Sequence, residues 1–274
     1  MIPVGFDYVA ASSAADAVAA LVEHGDEAKL IAGGMSLIPL MKLRLATPSV
    51  LVDVGGIGDL SYVRDGGDHL AIGALTRHHD LATSDVLAEG CGVVAAVAAE
   101  IGDPQVRHRG TIGGSVAHGD PASDLPAVLL AIDASFVARG QSGERTIAAS
   151  DFFVDFLETA LRPDELLTEI RVPKTGANGF AYEKFNRRAQ DWATVGALAV
   201  RADGSTRVAL VNMGPRPLRA SGVEQALAGG ASATDAAEHA AEGTQPPDDL
   251  NASPEFRAHL ARVLVRRALE TASG

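Results

Sequence analysis

The residues best suited to chemistry lie in the stretch Arg107–Pro126, where Thr111-Ile112-Gly113-Gly114-Ser115 is followed by a spaced carboxylate, Asp124. Adjacent glycines let a backbone turn with positive φ and approach a ligand with no Cβ in the way, so successive N–H groups can point at one anion. A phosphate or pyrophosphate suits such a turn. A lone Gly-Gly pair is more often a tight turn, here one leading into a helix at Leu125. This pair has a counterpart: Ala32-Gly33-Gly34-Met35-Ser36 repeats the pattern of apolar residue, two glycines and a nearby serine after a short apolar run. Two such turns predict two loops gripping one long, charged cofactor.

Other candidates carry less. Gly55, Gly56 and Gly58 follow a strand, but Ser61 stands where a dinucleotide fingerprint needs its last glycine and no amphipathic helix follows, so they read as a turn. His78-His79-Asp80 offers metal-ligating types, yet sequence neighbours point different ways on a helix and no third ligand is evident; the reading is a solvated helix start. Cys91 is the only cysteine. One cysteine excludes an iron–sulfur cluster or Cys-based zinc site built wholly from this chain, and any intrachain disulfide. The net charge of -12 argues against nucleic acid and anionic membranes as partners, since their phosphates are bound by clustered Lys and Arg. Anion binding is then local, through backbone N–H groups. The opening residues lack a signal-peptide pattern and no stretch has the uncharged length of a membrane span, so the expected location is cytoplasmic.

The elements that must position these turns follow from periodicity and punctuation. With 274 residues, 47% hydrophobic but only 4% aromatic, the chain predicts two or three lobes with cores of Ala, Val, Leu and Ile. Ser12 and Ser13 cap a helix over 14–24 that Gly25 stops. Strands are expected at 29–32 and 50–54, with a helix over 37–45 capped by Ser36 between them. A hairpin is expected from 61–64 and 69–73. Helices start at Thr76 and Asp85, the second running through Ile101 as one element. Beyond the central turn come a helix over 125–131 and strands at 135–139, near Thr146 and at 166–172. A linker at 174–179 precedes three strands, 180–186, 195–201 and 207–213, the last two joined by Asp203-Gly204. A final helix begins at Ser253-Pro254 with an apolar face of Ala258, Leu260, Ala261, Leu264, Val265, Ala268 and Leu269.

Three motifs in order resemble one family: Ala32-Gly-Gly-Met-Ser36 followed by 37–44, Thr111-Ile-Gly-Gly-Ser115 followed by Asp120-Pro-Ala-Ser-Asp124, and Lys184-Phe-Asn-Arg-Arg-Ala-Gln-Asp-Trp192. Together they are similar to the FAD-binding medium subunits of molybdenum hydroxylases, and within them to the aerobic carbon monoxide dehydrogenase branch, over essentially the whole chain. The resemblance implies an α+β fold: a two-lobed FAD-binding domain of the vanillyl-alcohol-oxidase type at 1–176, then a small C-terminal domain of three antiparallel strands plus helices at 177–274. It implies that Ala32, Gly33, Gly34, Met35, Ser36 and Leu37, with Thr111, Ile112, Gly113, Gly114 and Ser115, embrace the FAD pyrophosphate and adjoining sugar. Asp124 is implied to accept from FAD hydroxyls, with capping of the next helix as the plain alternative. Ile101 and Leu167 are implied beside the flavin, where core packing explains their types equally well.

Lys184, on one strand face with Tyr182, is implied near the flavin, where a cation stabilises the anionic reduced ring; an exposed strand lysine is the alternative. Trp192 is implied near the ring, against ordinary core packing. Two positions depart from the pattern: many relatives carry Asn at Ser115, and carbon monoxide dehydrogenases often carry His at Met35. The resemblance places a molybdenum cofactor on a large partner subunit and [2Fe-2S] clusters on a small one, in a dimer of heterotrimers. Arg107-His108-Arg109, with Arg187 and Arg188, are candidate polar contacts to the cluster subunit. The same scaffold serves hydroxylases of aldehydes, purines and N-heterocycles, and a free-standing flavin oxidase is a further alternative.

Overall fold

The computed structural model describes residues 2–176, 178–202 and 204–273. The chain builds a parallel three-stranded sheet, an antiparallel five-stranded sheet and an antiparallel four-stranded sheet, with a small two-stranded hairpin. In the first, Val50–Asp53 lies between Asp7–Ala10 and Ala28–Ile31, and the helix Ala14–His24 covers one face with Ala17, Val18, Ala20 and Leu21. Ser13 caps that helix by accepting from the Asp16 N–H, and Gly25, at φ 52°, ends it.

The five-stranded sheet runs Val63–Asp65, His69–Gly73, Leu166–Pro173, Ser135–Gly140, Gly143–Ala148. Its central strand is the last of the five in sequence. Helices Asp85–Gly90, Gly92–Ala99 and Asp124–Ala131 share with this sheet a large core around Phe136, Ile170, Leu125 and Val94.

The four-stranded sheet, Phe180–Phe185, Val195–Ala202, Ser205–Val211 and Leu218–Arg219, is a wall between two cores. Side chains alternate across a strand. Val195, Ala197, Ala199, Val208 and Leu210 therefore face a core closed by the helix Pro254–Ala272, while Leu198, Val200, Ala209 and Val211 face the core of the preceding sheet. Burial on both faces is why these strands read as continuous apolar runs. Tyr182 packs on the same side as Leu198, so Lys184, two residues on, is directed toward helix Asp124–Ala131.

Several elements differ from the sequence reading. The helix expected from Asp85 through Ile101 breaks at Cys91, where the chain bridges to Gly176: Gly176 N–H donates to Gly90 O and Gly92 N–H to Gly176 O, both at 3.0 Å. Ile101 thus lies beyond the end of Gly92–Ala99. The helix after Ser36 spans only Leu37–Lys42; Arg44 takes φ 62°, and Ser36 makes no side-chain cap bond. Thr76 does not cap a helix, because its hydroxyl exchanges hydrogen bonds with the Tyr62 backbone, and that helix spans His78–Ala82. Asp7–Ala10, Pro104–Arg109, the hairpin Phe153–Asp155 with Glu158–Thr159, and the edge strand Leu218–Arg219 were not expected. On the final helix Arg257 is fully buried while Ala258 is half-buried. Ala177 in the linker and Asp203 in the turn lie outside the described residues. No helix among the described residues is long and apolar enough to cross a membrane.

Candidate functional site

The first glycine turn packs against the Arg109–Gly110 peptide, immediately before the second. A Cβ on Gly33 would overlap the Arg109 carbonyl oxygen and lie 2.7 Å from its carbon and 2.9 Å from Gly110 Cα. Only glycine permits that approach. Gly34 takes φ 75°, the left-handed conformation expected of a glycine turn. Among the described residues the N–H groups of Gly33, Gly34, Met35 and Ser36 have no protein acceptor. Ala32, Ser36 and Leu37 are half-buried and Met35 is exposed, so this turn presents unpaired backbone donors at a surface.

The second turn works differently. Gly113 and Gly114 lie in the helix Ile112–His118, neither at positive φ, contrary to the expectation of two equivalent turns. Every N–H from Ile112 to Ser115 is committed: Ile112 donates to Thr76 O, Gly113 to Ala74 O, Gly114 to the Thr111 hydroxyl that caps the helix, and Ser115 to Thr111 O. Gly113 is glycine because a Cβ would meet Ala74 Cβ and O at 2.5 Å. The helix is thereby pressed onto the 73–76 segment, with Gly114 and the half-buried Ser115 left facing outward. The unpaired donors belong to the first turn, and the second supplies shape and a hydroxyl.

Asp124 and Lys184 form the second constellation. Lys184 Nζ donates to Asp124 Oδ2 at 2.9 Å, the Tyr182 hydroxyl donates to Asp124 Oδ1, and Lys184 also reaches the Glu100 carbonyl at 3.4 Å. Burial drives the Asp124 carboxyl above its usual range, with the Lys184 ammonium and Tyr182 hydroxyl pulling it back only in part; burial first, then the Asp124 charge, pushes the Tyr182 phenol well above 10. Both plain alternatives fail here. Asp124 is not the cap, since Ser123 holds that position, and Lys184 is not an exposed strand lysine.

The segment 100–102 is pinned by cations: Arg107 donates to the carbonyls of Ile101 (2.9 Å) and Gly102 (3.1 Å), as Lys184 does to that of Glu100. Ile101 is half-buried against the main core, and Leu167 is buried within it. Trp192 stands apart on the loop 186–194, 54% exposed, which excludes core packing. Arg187, exposed, donates to Asn251 Oδ1 at 2.9 Å, and Arg107 donates to the carbonyls of Ile101 and Gly102. His78, read as a solvated helix start, is 4% exposed. Sequence reasoning missed Arg107 as a clamp and Tyr182 as a partner of Asp124; the Tyr-x-Lys spacing on one strand face was the available signal.

Residues 4–175 match the family described as the FAD-binding domain in molybdopterin dehydrogenase, and residues 180–272 the CO dehydrogenase flavoprotein C-terminal domain. The chain belongs to this flavoprotein family. It is 42% identical to the carbon monoxide dehydrogenase medium chain of Hydrogenophaga pseudoflava, over 99% of this chain and 98% of that one. It is 38% identical to the 6-hydroxypseudooxynicotine dehydrogenase complex subunit alpha of Paenarthrobacter nicotinovorans, over 99% of this chain and 96% of that one. Its fold superposes on a chain of carbon monoxide dehydrogenase from Hydrogenophaga pseudoflava with a TM-score of 0.95 at 42% identity, covering 100% of this chain and 99% of that one. The flavoprotein family's cofactor is FAD, and the residues present fit it: unpaired backbone N–H groups on a left-handed glycine turn suit a diphosphate.

Proposed function

We propose that this chain is the FAD-carrying medium subunit of a carbon monoxide dehydrogenase, passing electrons from a small iron–sulfur subunit to an external acceptor. Substrate is oxidised at a molybdenum cofactor on a large subunit, and the complex is a cytoplasmic dimer of heterotrimers. The observation that carries the reading is end-to-end similarity to a carbon monoxide dehydrogenase medium chain, with the first glycine turn packed on the Arg109–Gly110 peptide that leads into the second. FAD, when bound, supplies the exchange between one-electron clusters and a two-electron acceptor. The domain division falls at 176/177, supported by family matches ending at 175 and resuming at 180.

Each residue then has a role in holding FAD. Gly33, Gly34, Met35 and Ser36 donate backbone N–H groups to the pyrophosphate, flanked by Ala32 and Leu37. Thr111, Ile112, Gly113, Gly114 and Ser115 form the opposing wall, with the Ser115 hydroxyl available. Asp124 and Lys184 act as one neutralised pair beside the flavin, Ile101 and Leu167 supply apolar contact, and Trp192 covers the ring from its exposed loop. The first test is direct: the isolated chain takes up one FAD noncovalently, seen by absorbance and calorimetry, and acid precipitation leaves a yellow supernatant. A colourless protein indifferent to added FAD ends the proposal.

The second test is assembly with the large and small subunits followed by assay with an artificial acceptor. Carbon monoxide oxidation by the assembly, and none by this chain alone, is the expected result. Similarity at 38% to the 6-hydroxypseudooxynicotine dehydrogenase complex subunit alpha supports a second reading, in which the assembly oxidises an N-heterocycle instead.

A further inference from the structure

The Arg109–Gly110 peptide is held between two groups far apart in sequence. Gly33 presses on it from one side. The ring of His78 lies against it as well: a Cβ on Gly110 would lie 2.9 Å from its Cδ2 and 3.1 Å from its Nε2, and the His78 backbone N–H donates to Gly110 O at 3.0 Å. This imidazole is 4% exposed, and its Nδ1 has no hydrogen-bond partner among the described residues. Buried polar atoms without partners are uncommon and costly. Here one is retained in the ring that touches Gly110, next to the peptide Gly33 approaches.

We propose that His78 is a positioning residue for the cofactor cradle: its uncharged ring backs the Arg109–Gly110 peptide against Gly33, and protonation of that ring loosens the junction and releases FAD. The proposal rests on the FAD reading above and adds a pH-sensitive support to it. A neutral ring can leave one nitrogen bare, whereas a protonated ring carries N–H on both nitrogens and a full charge in a place without an acceptor.

The surrounding groups do not relieve this. On the ring's own helix stand Arg77, His79 and Asp80; on Pro104–Arg109 stand Arg107, His108 and Arg109; Cys91 and Glu100 bracket Gly92–Ala99. Arg77 is engaged with the His108 carbonyl, Arg107 with the carbonyls of Ile101 and Gly102, and His79 stacks on the His108 ring at 4.0 Å. Burial alone lowers the His78 pKa to about 4. A base whose pKa is depressed in the closed form favours closure fully above the ordinary value near 6.5, and that support drains away as pH falls toward 4. With an open state at the ordinary value, the closed-to-open ratio of the junction falls about 30-fold between pH 7.5 and pH 5, and FAD affinity falls by up to that factor.

The test compares the full chain with His78→Leu, which keeps apolar volume and cannot titrate, and with His78→Gln should Leu disturb packing. FAD binding is followed by quenching of flavin fluorescence across pH 4 to 7.5. The expected result is that the acid loss of affinity is smaller in the uncharged variants, by up to about 30-fold. The half-buried His118, also depressed by burial, contributes alike to parent and variant, so the difference isolates His78. Amide exchange at Gly110–Ser115 in the cofactor-free chain at pH 5 provides a readout independent of flavin, and the parent should exchange faster there than the variants. Equal exchange in parent and variant overturns the proposal, as does an identical pH profile of FAD release. Failure of the FAD reading looks different: the parent then takes up no FAD at pH 7.5, while the exchange contrast persists.

Discussion

Lys184 Nζ and Asp124 Oδ2 form a 2.9 Å ion pair in which both side chains are more than nine-tenths buried, tying the first strand of the C-terminal sheet to the start of helix Asp124–Ala131. The pair is nearly neutral as a unit, which changes what each charge can do alone.

Lys184→Ala should destabilise the protein by about 3–5 kcal/mol, because it strands a buried carboxylate, while Lys184→Ala combined with Asp124→Asn recovers most of the loss. Urea unfolding of the two variants measures this. A buried carboxyl whose pKa stands above its ordinary value gains stability as pH falls and loses it as pH rises through that value. The deficit of Lys184→Ala should therefore shrink from pH 7.5 to pH 5. In the FAD-loaded protein the single variant lowers the flavin midpoint potential in a redox titration, and the double variant restores it.

Gly33→Ala should weaken FAD binding far more than Gly114→Ala. The first added methyl meets the backbone of Arg109 and Gly110, costing about 1–3 kcal/mol of overpacking, whereas the second meets only the Thr111 hydroxyl at 2.8 Å. That hydroxyl's capping bond is worth about 1 kcal/mol. Calorimetric titration with FAD ranks the two, and equal losses would remove the loop junction from the cradle.

The fold was most legible where one period dominated. Ala14–His24 and its caps, the hairpin around Gly66 and Gly67, and the two-faced strand Val195–Ala202 all follow from local pattern. The break at Cys91 was passed over although Gly90 and Gly92 flank it; what fixes it there is a bridge to Gly176, eighty-five residues away, which no local pattern shows. At the site, both glycine pairs were identified, but their inequivalence was not: Gly113 is dictated by Ala74 across a packing contact, not by its own backbone angles. His78 was misread for the same reason, since burial of a polar residue is decided by what folds over it.

Glu165 accepts from Arg145 Nε at 2.7 Å and Nη2 at 2.8 Å, and from the Arg162 N–H at 2.7 Å. The Arg145 bond, ahead of opposing burial, holds its carboxyl below the usual 4.5. Such a group stabilises the fold above 4.5, and the contribution is lost as pH falls through its depressed value. Glu165→Gln should lower the urea midpoint at pH 7 and change it little at pH 3. An equal drop at both values would assign the loss to packing.

Arg257 is fully buried, with one nitrogen donating to Thr194 O, another to Asp249 Oδ2 at 2.8 Å, and Nε unpaired. It anchors the chain two residues past Trp192. Arg257→Met should cost about 1–3 kcal/mol by leaving the buried Thr194 carbonyl unpaired. Because Trp192 is the only tryptophan, its fluorescence anisotropy should fall in this variant without a change in the other loops; unchanged anisotropy would leave Arg257 a purely structural residue.

The five-stranded sheet has its last-made strand, Leu166–Pro173, at its centre, flanked by His69–Gly73 and Ser135–Gly140. While the chain emerges from the ribosome, those flanking hairpins have no neighbour to pair with until residue 173 clears the exit, and the helix bearing Thr111–Ser115 has no sheet behind it. Closure by so distant a strand is slow. The five-stranded sheet is therefore complete only after residue 173 has emerged, and a pause in translation before residue 166 leaves two β-edges unpaired and open to aggregation.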